Sequence, residues 1–221
     1  MKRRHPRIDT HFDTRPNVLF AIDTNAFLSQ YARPGGWNDP DMLIGSSSSA
    51  AFYLTPIQSR SQFSMWAVMA APLILGCAVQ NLSAWDLETY SNAEVLAVNQ
   101  DVLGQQGVRL AGGNLSLTYH NSTPSVTNVW GKKLSNGSWA VLFLNNGNAK
   151  AEVGCSSSCL KGMSFQHSDV LLLRDLWAHT WNGTIAAANF SVYVEGGGGS
   201  VLVQVWKANS SRLLDTVDST Y

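Results

Sequence analysis

Six consecutive residues, Trp37-Asn38-Asp39-Pro40-Asp41-Met42, put two carboxylates, an amide and an indole into one short segment. An indole gives a sugar ring an apolar face to stack on, and a carboxylate accepts hydrogen bonds from hydroxyls in fixed directions. The segment follows the Gly35-Gly36 turn and precedes a Gly/Ser-rich loop. Residue types alone leave two readings open, a polar-ligand site and a plain Asp-Pro-Asp turn. Metal chemistry finds less support. His120, His167 and His179 are isolated, with no spacing for a metal. Cys155 and Cys159, in Cys-Ser-Ser-Ser-Cys, are close enough to bridge in an extracellular domain, whereas zinc would need two further ligands nearby. Cys77 lies in an apolar run and reads as a small buried hydrophobe.

The elements that would position these residues fall into two groups. Residues 1–110 read as alternating helix and strand. Residues 17–31 carry apolar positions at helical spacing, and 57–70 read as a second helix with Phe63, Met65, Trp66 and Met69 on or near its apolar face. Pro72 ends that helix, Leu73–Gly76 reads as a short buried strand, and residues 89–98 read as another short helix. Such alternation argues for a parallel sheet with helices outside. Residues 111–207 change to short alternating runs, separated by turns such as Asn136-Gly137, Asn146-Gly147 and Asn182-Gly183. That is the pattern of an antiparallel β-sandwich. The Gly196–Gly199 run reads as the loop of its last hairpin, and Trp130, Trp139, Trp177, Trp181 and Trp206 as packing residues. Residues 208–221 are a polar tail.

Composition excludes several classes. Lys plus Arg and Asp plus Glu are both 15, so the formal charge is zero and the basic footprint of a general nucleic-acid binder is missing. Residues 65–77 are apolar but too short to span a bilayer, and Pro72 interrupts them. With 45% hydrophobic and 14% charged residues the chain can bury a core. The basic start is followed by no apolar stretch of a secretory signal. Yet seven Asn-x-Ser/Thr sequons, at Asn81, Asn114, Asn121, Asn136, Asn182, Asn189 and Asn209, favour an extracytoplasmic setting.

Read as strings, the segments become specific. PGGWNDPDML (34–43), SQFSMWAVMAAPLILG (61–76), SNAEVLAVNQDVLGQQG (91–107) and LRDLWAHTWNG (173–183) resemble, in order and spacing, the C-terminal half of the α-galactosidases of glycoside hydrolase family 27. The clan also holds α-N-acetylgalactosaminidases. The resemblance implies α/β plus all-β architecture: the last strands and helices of a (β/α)8 barrel in residues 1–110, then an antiparallel β-sandwich in 111–207. It implies that Asp41 and Met42 line a galactose pocket with Trp37 close by, and that Asn38 and Asp39 brace the loop or touch sugar. It places a short-range disulfide at Cys155 and Cys159. No cofactor is implied. The implied partner is an α-galactoside glycan, homodimerisation follows from the family alone, and the destination is secreted or lysosomal/vacuolar.

The family's chemistry is retaining hydrolysis, in which one carboxylate forms a glycosyl-enzyme and a second serves as acid, then base. Its nucleophile motif, Lys-x-Asp-x-Cys, occurs nowhere in the 221 residues. The acid/base Asp normally lies shortly before the helix that precedes PGGWNDPD, four residues after an Arg. Here Asp9 is the nearest candidate and Asp13 the second, and neither restores that spacing. A whole (β/α)8 barrel needs about 200–250 residues. The expectation is therefore a chain of α-galactosidase ancestry that is inactive alone. The contrasting expectation is a non-catalytic β-sandwich that binds glycans or serves structure.

Overall fold

The computed structural model describes residues 18–47, 53–116 and 124–208. Helix α1 (Val18–Asn25) opens it, followed by a one-turn 3-10 helix at Ser29–Tyr31. The central element is α2 (Pro56–Val68). Its start is built by a capping box, with Thr55 accepting from the Gln58 backbone N–H and Gln58 reaching back to Thr55, and Pro56 stands at the first helical position. From Ser61 to Val68 every residue is buried, so α2 has no solvent face in its second half. The single helix expected over 89–98 is two, α3 (Ala84–Ser91) and α4 (Ala93–Asn99). Asn92 causes the break: its side chain accepts from the backbone of Glu94 and Val95, which restarts the helix.

The strand expected at Leu73–Gly76 is reduced to one parallel bridge, Leu43 to Leu75. Among the described residues no further strand flanks this pair, and Ile74 is 51% exposed rather than buried. Cys77 is only half-buried, beside Gly45. No helix among the described residues is long and apolar enough to cross a membrane.

Eight strands follow: β1 (Val108–Ala111), β2 (Thr127–Lys133), β3 (Trp139–Asn145), β4 (Ala151–Gly154), β5 (Val170–Asp175), β6 (Thr180–Ala186), β7 (Ser191–Val194) and β8 (Gly199–Lys207). They form a six-stranded antiparallel sheet, in the order β1-β2-β3-β8-β5-β6, and a two-stranded sheet, β4-β7. Already at Val108 the chain is paired with β2. The run expected at 116–120 lies mostly outside the described residues. Cys155 and Cys159 are disulfide-bonded and begin α5 (Ser157–Gly162), a helix the sequence pattern did not show. Gly196–Gly199 is not a hairpin loop. It carries the chain from β7 in the small sheet to β8 in the large one, tied by Gly197 N–H to Gly147 O and Gly198 N–H to Asn145 O.

The middle strands of the large sheet, β2, β3 and β8, are buried on both faces. Val129, Val141, Phe143, Leu171, Val203 and Val205 pack against the β4-β7 layer and α5. Trp130, Leu142, Leu144 and Leu202 join Phe63, Met65, Trp66 and Val95 in one core shared with the helices. Strand β3 accordingly reads Ala-Val-Leu-Phe-Leu without alternation, as a strand covered on both sides does. Of the five tryptophans in residues 111–207, Trp130 is fully buried and the other four are half-buried.

Lys132 ties the two halves. It is 0% exposed, and its Nζ donates to the carbonyls of Val98 (2.5 Å), Asn99 (3.2 Å) and Ala67 (3.4 Å), at the C-terminal ends of α4 and α2. Cations are favoured at helix C-termini, where the last carbonyls fall outside the helical ladder, although Ala67 O also accepts from Ala70 N–H at 3.1 Å. Burial pulls the Lys132 ammonium down to about 8, with the Asp101 charge opposing. Between that value and the ordinary 10.5, the unfolded chain binds more protons than the folded one. Stability should therefore rise with pH across this window, by at most roughly 3 kcal/mol. Cys77, raised by burial, acts in the opposite direction, so the comparison is made against a variant. Urea titrations of the parent and Lys132→Met at pH 8 and pH 10.5 should show the rise in the parent only. Equal pH dependence in both chains refutes this assignment.

Candidate functional site

The segment 33–47 is held from three sides. It starts in a tight turn closed by reciprocal Arg33 and Gly36 backbone bonds of 2.9 Å. Asn38 Nδ2 donates to Leu28 O (2.6 Å) and Gln106 Oε1 (2.8 Å), and Gln106 in turn donates to Asn25 O. Asp39 Oδ1 accepts the Asp41 N–H at 2.9 Å. Both Asn38 and Asp39 thus brace the loop. The next residues run beside 74–76: Leu43 N–H donates to Ile74 O and Gly76 N–H to Leu43 O, each 2.8 Å.

Asp41 is exposed and has φ of +79°, a left-handed conformation that costs a non-glycine residue about 1–2 kcal/mol. The surrounding bonds maintain it. Trp66 Nε1 donates to Asp41 O at 2.7 Å. One turn earlier on α2, Gln62 donates to Met42 O (3.2 Å) and accepts from Ile44 N–H (3.0 Å), so one side chain takes the place of a neighbouring strand. The Asp41 carboxylate accepts Met42 N–H at 2.7 Å through Oδ1. Met42 is exposed and lies against Gly76, where a Cβ would approach its own Cβ to 3.1 Å.

The end of the segment is fixed by Asp86, which is 0% exposed. Its carboxylate accepts from Ser46 N–H (2.8 Å) and from the hydroxyls of Ser46 (3.0 Å), Ser47 (2.7 Å) and Ser59 (2.7 Å). Burial pushes this carboxyl up, but the hydroxyls of Ser47 and Ser59 and the Ser46 backbone outweigh it and hold it below its ordinary 3.8. Sequence reasoning missed Asp86, Gln62 and Trp66 as supports, because only the fold brings them to the loop.

Trp37 is 43% exposed. Its ring packs on Gly104, where a Cβ would stand 2.6 Å away. With Ala70–Leu73 and Asn99–Asp101 it lines a groove of about 190 Å³ that neither Asp41 nor Met42 lines. The larger groove, about 520 Å³, lies on the sandwich between Glu152, Cys155, Asn189 and Ser191, away from the acidic segment. Asp9 and Asp13 lie outside the described residues. Among the described residues no group of three His, Cys, Asp or Glu side chains could hold a metal ion.

Residues 6–101 match the family model described as alpha galactosidase A, and residues 125–206 match the alpha galactosidase C-terminal beta sandwich domain. The chain belongs to the α-galactosidases of glycoside hydrolase family 27. It is 35% identical over 170 residues to alpha-galactosidase 2 of Arabidopsis thaliana, covering 76% of this chain and 38% of that protein. With the alpha-galactosidase of Oryza sativa subsp. japonica it shares 37% over 169 residues, 76% of this chain and 36% of that protein. The crystal structure of a putative α-galactosidase/melibiase from Bacteroides fragilis superposes with a TM-score of 0.74 at 28% identity, over 90% of this chain and 40% of that one. The chain thus spans a little over a third of the length of the curated relatives it matches. The family comprises glycoside hydrolases, and the barrel-end and sandwich architecture is shared with its solved members.

Two outcomes follow from the geometry. Asp41→Ala should be less stable than Asp41→Gly by about 1 kcal/mol, because only glycine adopts the left-handed backbone freely. Equal thermal midpoints for the two variants would show that Asp41 carries no strain. Asp86→Asn should destabilise by about 2–3 kcal/mol, since an amide cannot accept from four donors. Because the folded carboxyl is held below 3.8, its contribution is present above that pH and is lost as pH falls through the folded value. Acid titration followed by fluorescence should show a shallower loss of stability below pH 3.8 in Asp86→Asn than in the parent. An unchanged profile removes Asp86 from this role.

Proposed function

We propose that this chain forms one wall of the galactose pocket of a retaining α-galactosidase, acting on terminal α-galactosyl groups of glycans. The observation that carries the reading is Asp41, an exposed carboxylate clamped in a strained backbone at the end of the parallel pair 43/75. Strain of this kind persists where the surroundings over-determine it, and it clusters at ligand sites. Asp41 enters this pair two residues before Leu43, and the resemblance carried by the string PGGWNDPDML supports its place at the pocket. Asp41 Oδ2 is left to accept a sugar hydroxyl, and Met42 offers an apolar face beside it.

Hydrolysis with retention needs two carboxyl groups about 5–5.5 Å apart across the glycosidic bond. Within the segment, Asp39 commits Oδ1 to the Asp41 backbone, and no Lys-x-Asp-x-Cys nucleophile motif occurs in the sequence. The chain by itself therefore binds sugar weakly and does not turn it over. Homodimerisation and a secretory destination, lysosomal, vacuolar or extracellular, belong to the same proposal.

The test is turnover of a chromogenic α-galactoside by the purified full chain, with near-UV circular dichroism as the folding check and titration with free galactose as the binding readout. The expected result is a folded chain with no turnover and galactose binding that Asp41→Ala abolishes. Turnover by the folded chain, lost in Asp9→Ala, overturns the claim of inactivity. Galactose binding that survives Asp41→Ala overturns the pocket assignment, and preference for N-acetylgalactosamine would move the substrate class.

A further inference from the structure

The five sequons within the described residues are not equivalent. Asn114 Oδ1 accepts from Arg109 at 3.1 Å, and its partners Leu115 and Ser116 are fully buried. Asn136 Oδ1 accepts from both the backbone (3.1 Å) and hydroxyl (2.6 Å) of Ser138, itself buried and bonded to Gln204. Asn81 and Asn189 are exposed and each closes a one-turn 3-10 helix. Asn182-Gly183-Thr184 differs from all of these, because its three residues are exposed within a strand.

That strand, β6, is the outermost of the large sheet, and among the described residues nothing pairs with its outer edge. The β5-β6 register pairs Leu173 with Gly183 but Arg174 with Trp181, so Asn182 is an extra residue in a bulge. Gly183, with φ of +74°, makes the bulge feasible. Trp181 turns to Trp206, with ring centroids 5.3 Å apart, while Asn182 stays exposed. The Asn182 side chain accepts one bond, from Thr180 Oγ1 at 3.3 Å, and its amide nitrogen makes none. An open strand edge is a template for pairing with another chain, and proteins blunt it with bulges or with cover.

We propose that Asn182 is an N-linked glycan acceptor whose glycan covers the open β6 edge. This rests on the secretory setting put forward above. In the transfer, Asn182 Nδ2 bonds to the anomeric carbon of a polyprenyl-diphosphate-linked oligosaccharide. The bond from that carbon to the diphosphate oxygen breaks, the diphosphate leaves with the electron pair, and the amide gives up one proton. The product places a bulky, solvated group on a residue whose backbone is already outside the ladder. The same group on Asn114 would stand beside two fully buried residues, Leu115 and Ser116.

The full chain, carrying a cleavable secretion leader, is translated in the presence of microsomes and compared with Asn182→Gln and Thr184→Ala. Each variant should lose one endoglycosidase-sensitive mobility step relative to the parent. Two different substitutions are used because Thr184→Ala removes the sequon while keeping Asn182. If both variants run as the parent does, the acceptor is elsewhere and the proposal fails. Glycosylated chain should also self-associate more after endoglycosidase treatment, as read by light scattering, and no change overturns the covering role. Neither readout depends on sugar turnover. A site accepted in microsomes but bare in protein from its natural source would refute the secretory setting and leave the acceptor geometry standing.

Discussion

The structure depends on helix α2 being enclosed. Its second half has no solvent face, so each side chain there must find a partner in another element. Phe63, Met65 and Trp66 fill the core shared with the large sheet, and burial of each contributes about 2–3 kcal/mol. Ser61 bonds Ser200 on β8 at 2.9 Å, and Gln58 donates to Gly197 O at 3.0 Å on the crossing between the sheets. From the other direction Lys132 reaches out of β2 to the Ala67 carbonyl near the end of the same helix, at 3.4 Å. A helix gripped in this way is a fixed reference for whatever it touches.

What it touches is the acidic segment. A parallel pair with one bridge is a weak device, since parallel strands hold their place through neighbours on both sides. Gln62 and Trp66 supply the missing constraint from α2, one by bonding two backbone groups and the other by holding the carbonyl of Asp41. The strain at Asp41 is thus maintained by a core that extends into the sandwich. The sandwich is for this reason part of the machinery that shapes the acidic loop, and not an independent appendage.

Polar burial follows the same logic. Asp23 joins α1 to Arg109 and to the backbone of Leu115 and Ser116, and Asp86 joins α3 to the loop 46–47 and to α2. Glu94 on α4 holds Arg174 on β5 through two bonds of 2.7 Å, and His179 through a third. Each of these carboxylates bridges elements distant in the chain and has its oxygens occupied. Satisfied networks of this kind specify one arrangement of the elements, because any alternative leaves a charge without partners.

Much of this was legible in the sequence, and the reason is local. The apolar spacing of 57–70 and the turn pairs Asn136-Gly137 and Asn146-Gly147 act within a few residues of themselves. The string Trp-Asn-Asp-Pro-Asp-Met-Leu marked the loop by residue type, and the short Cys155–Cys159 spacing marked the disulfide. Other features depended on partners far along the chain. Periodicity showed that 73–76 and 138–146 were apolar, but not that the first would have one strand beside it and the second a layer on each face. The Gly196–Gly199 run looked like a hairpin loop because the strands on either side alternate, and only the sheet order showed that it changes sheets. Sequence by itself determined which residues seek burial and where the chain turns. Tertiary structure decided what covers them and that α2 holds the loop, because these depend on contacts between residues that chain order alone does not bring together.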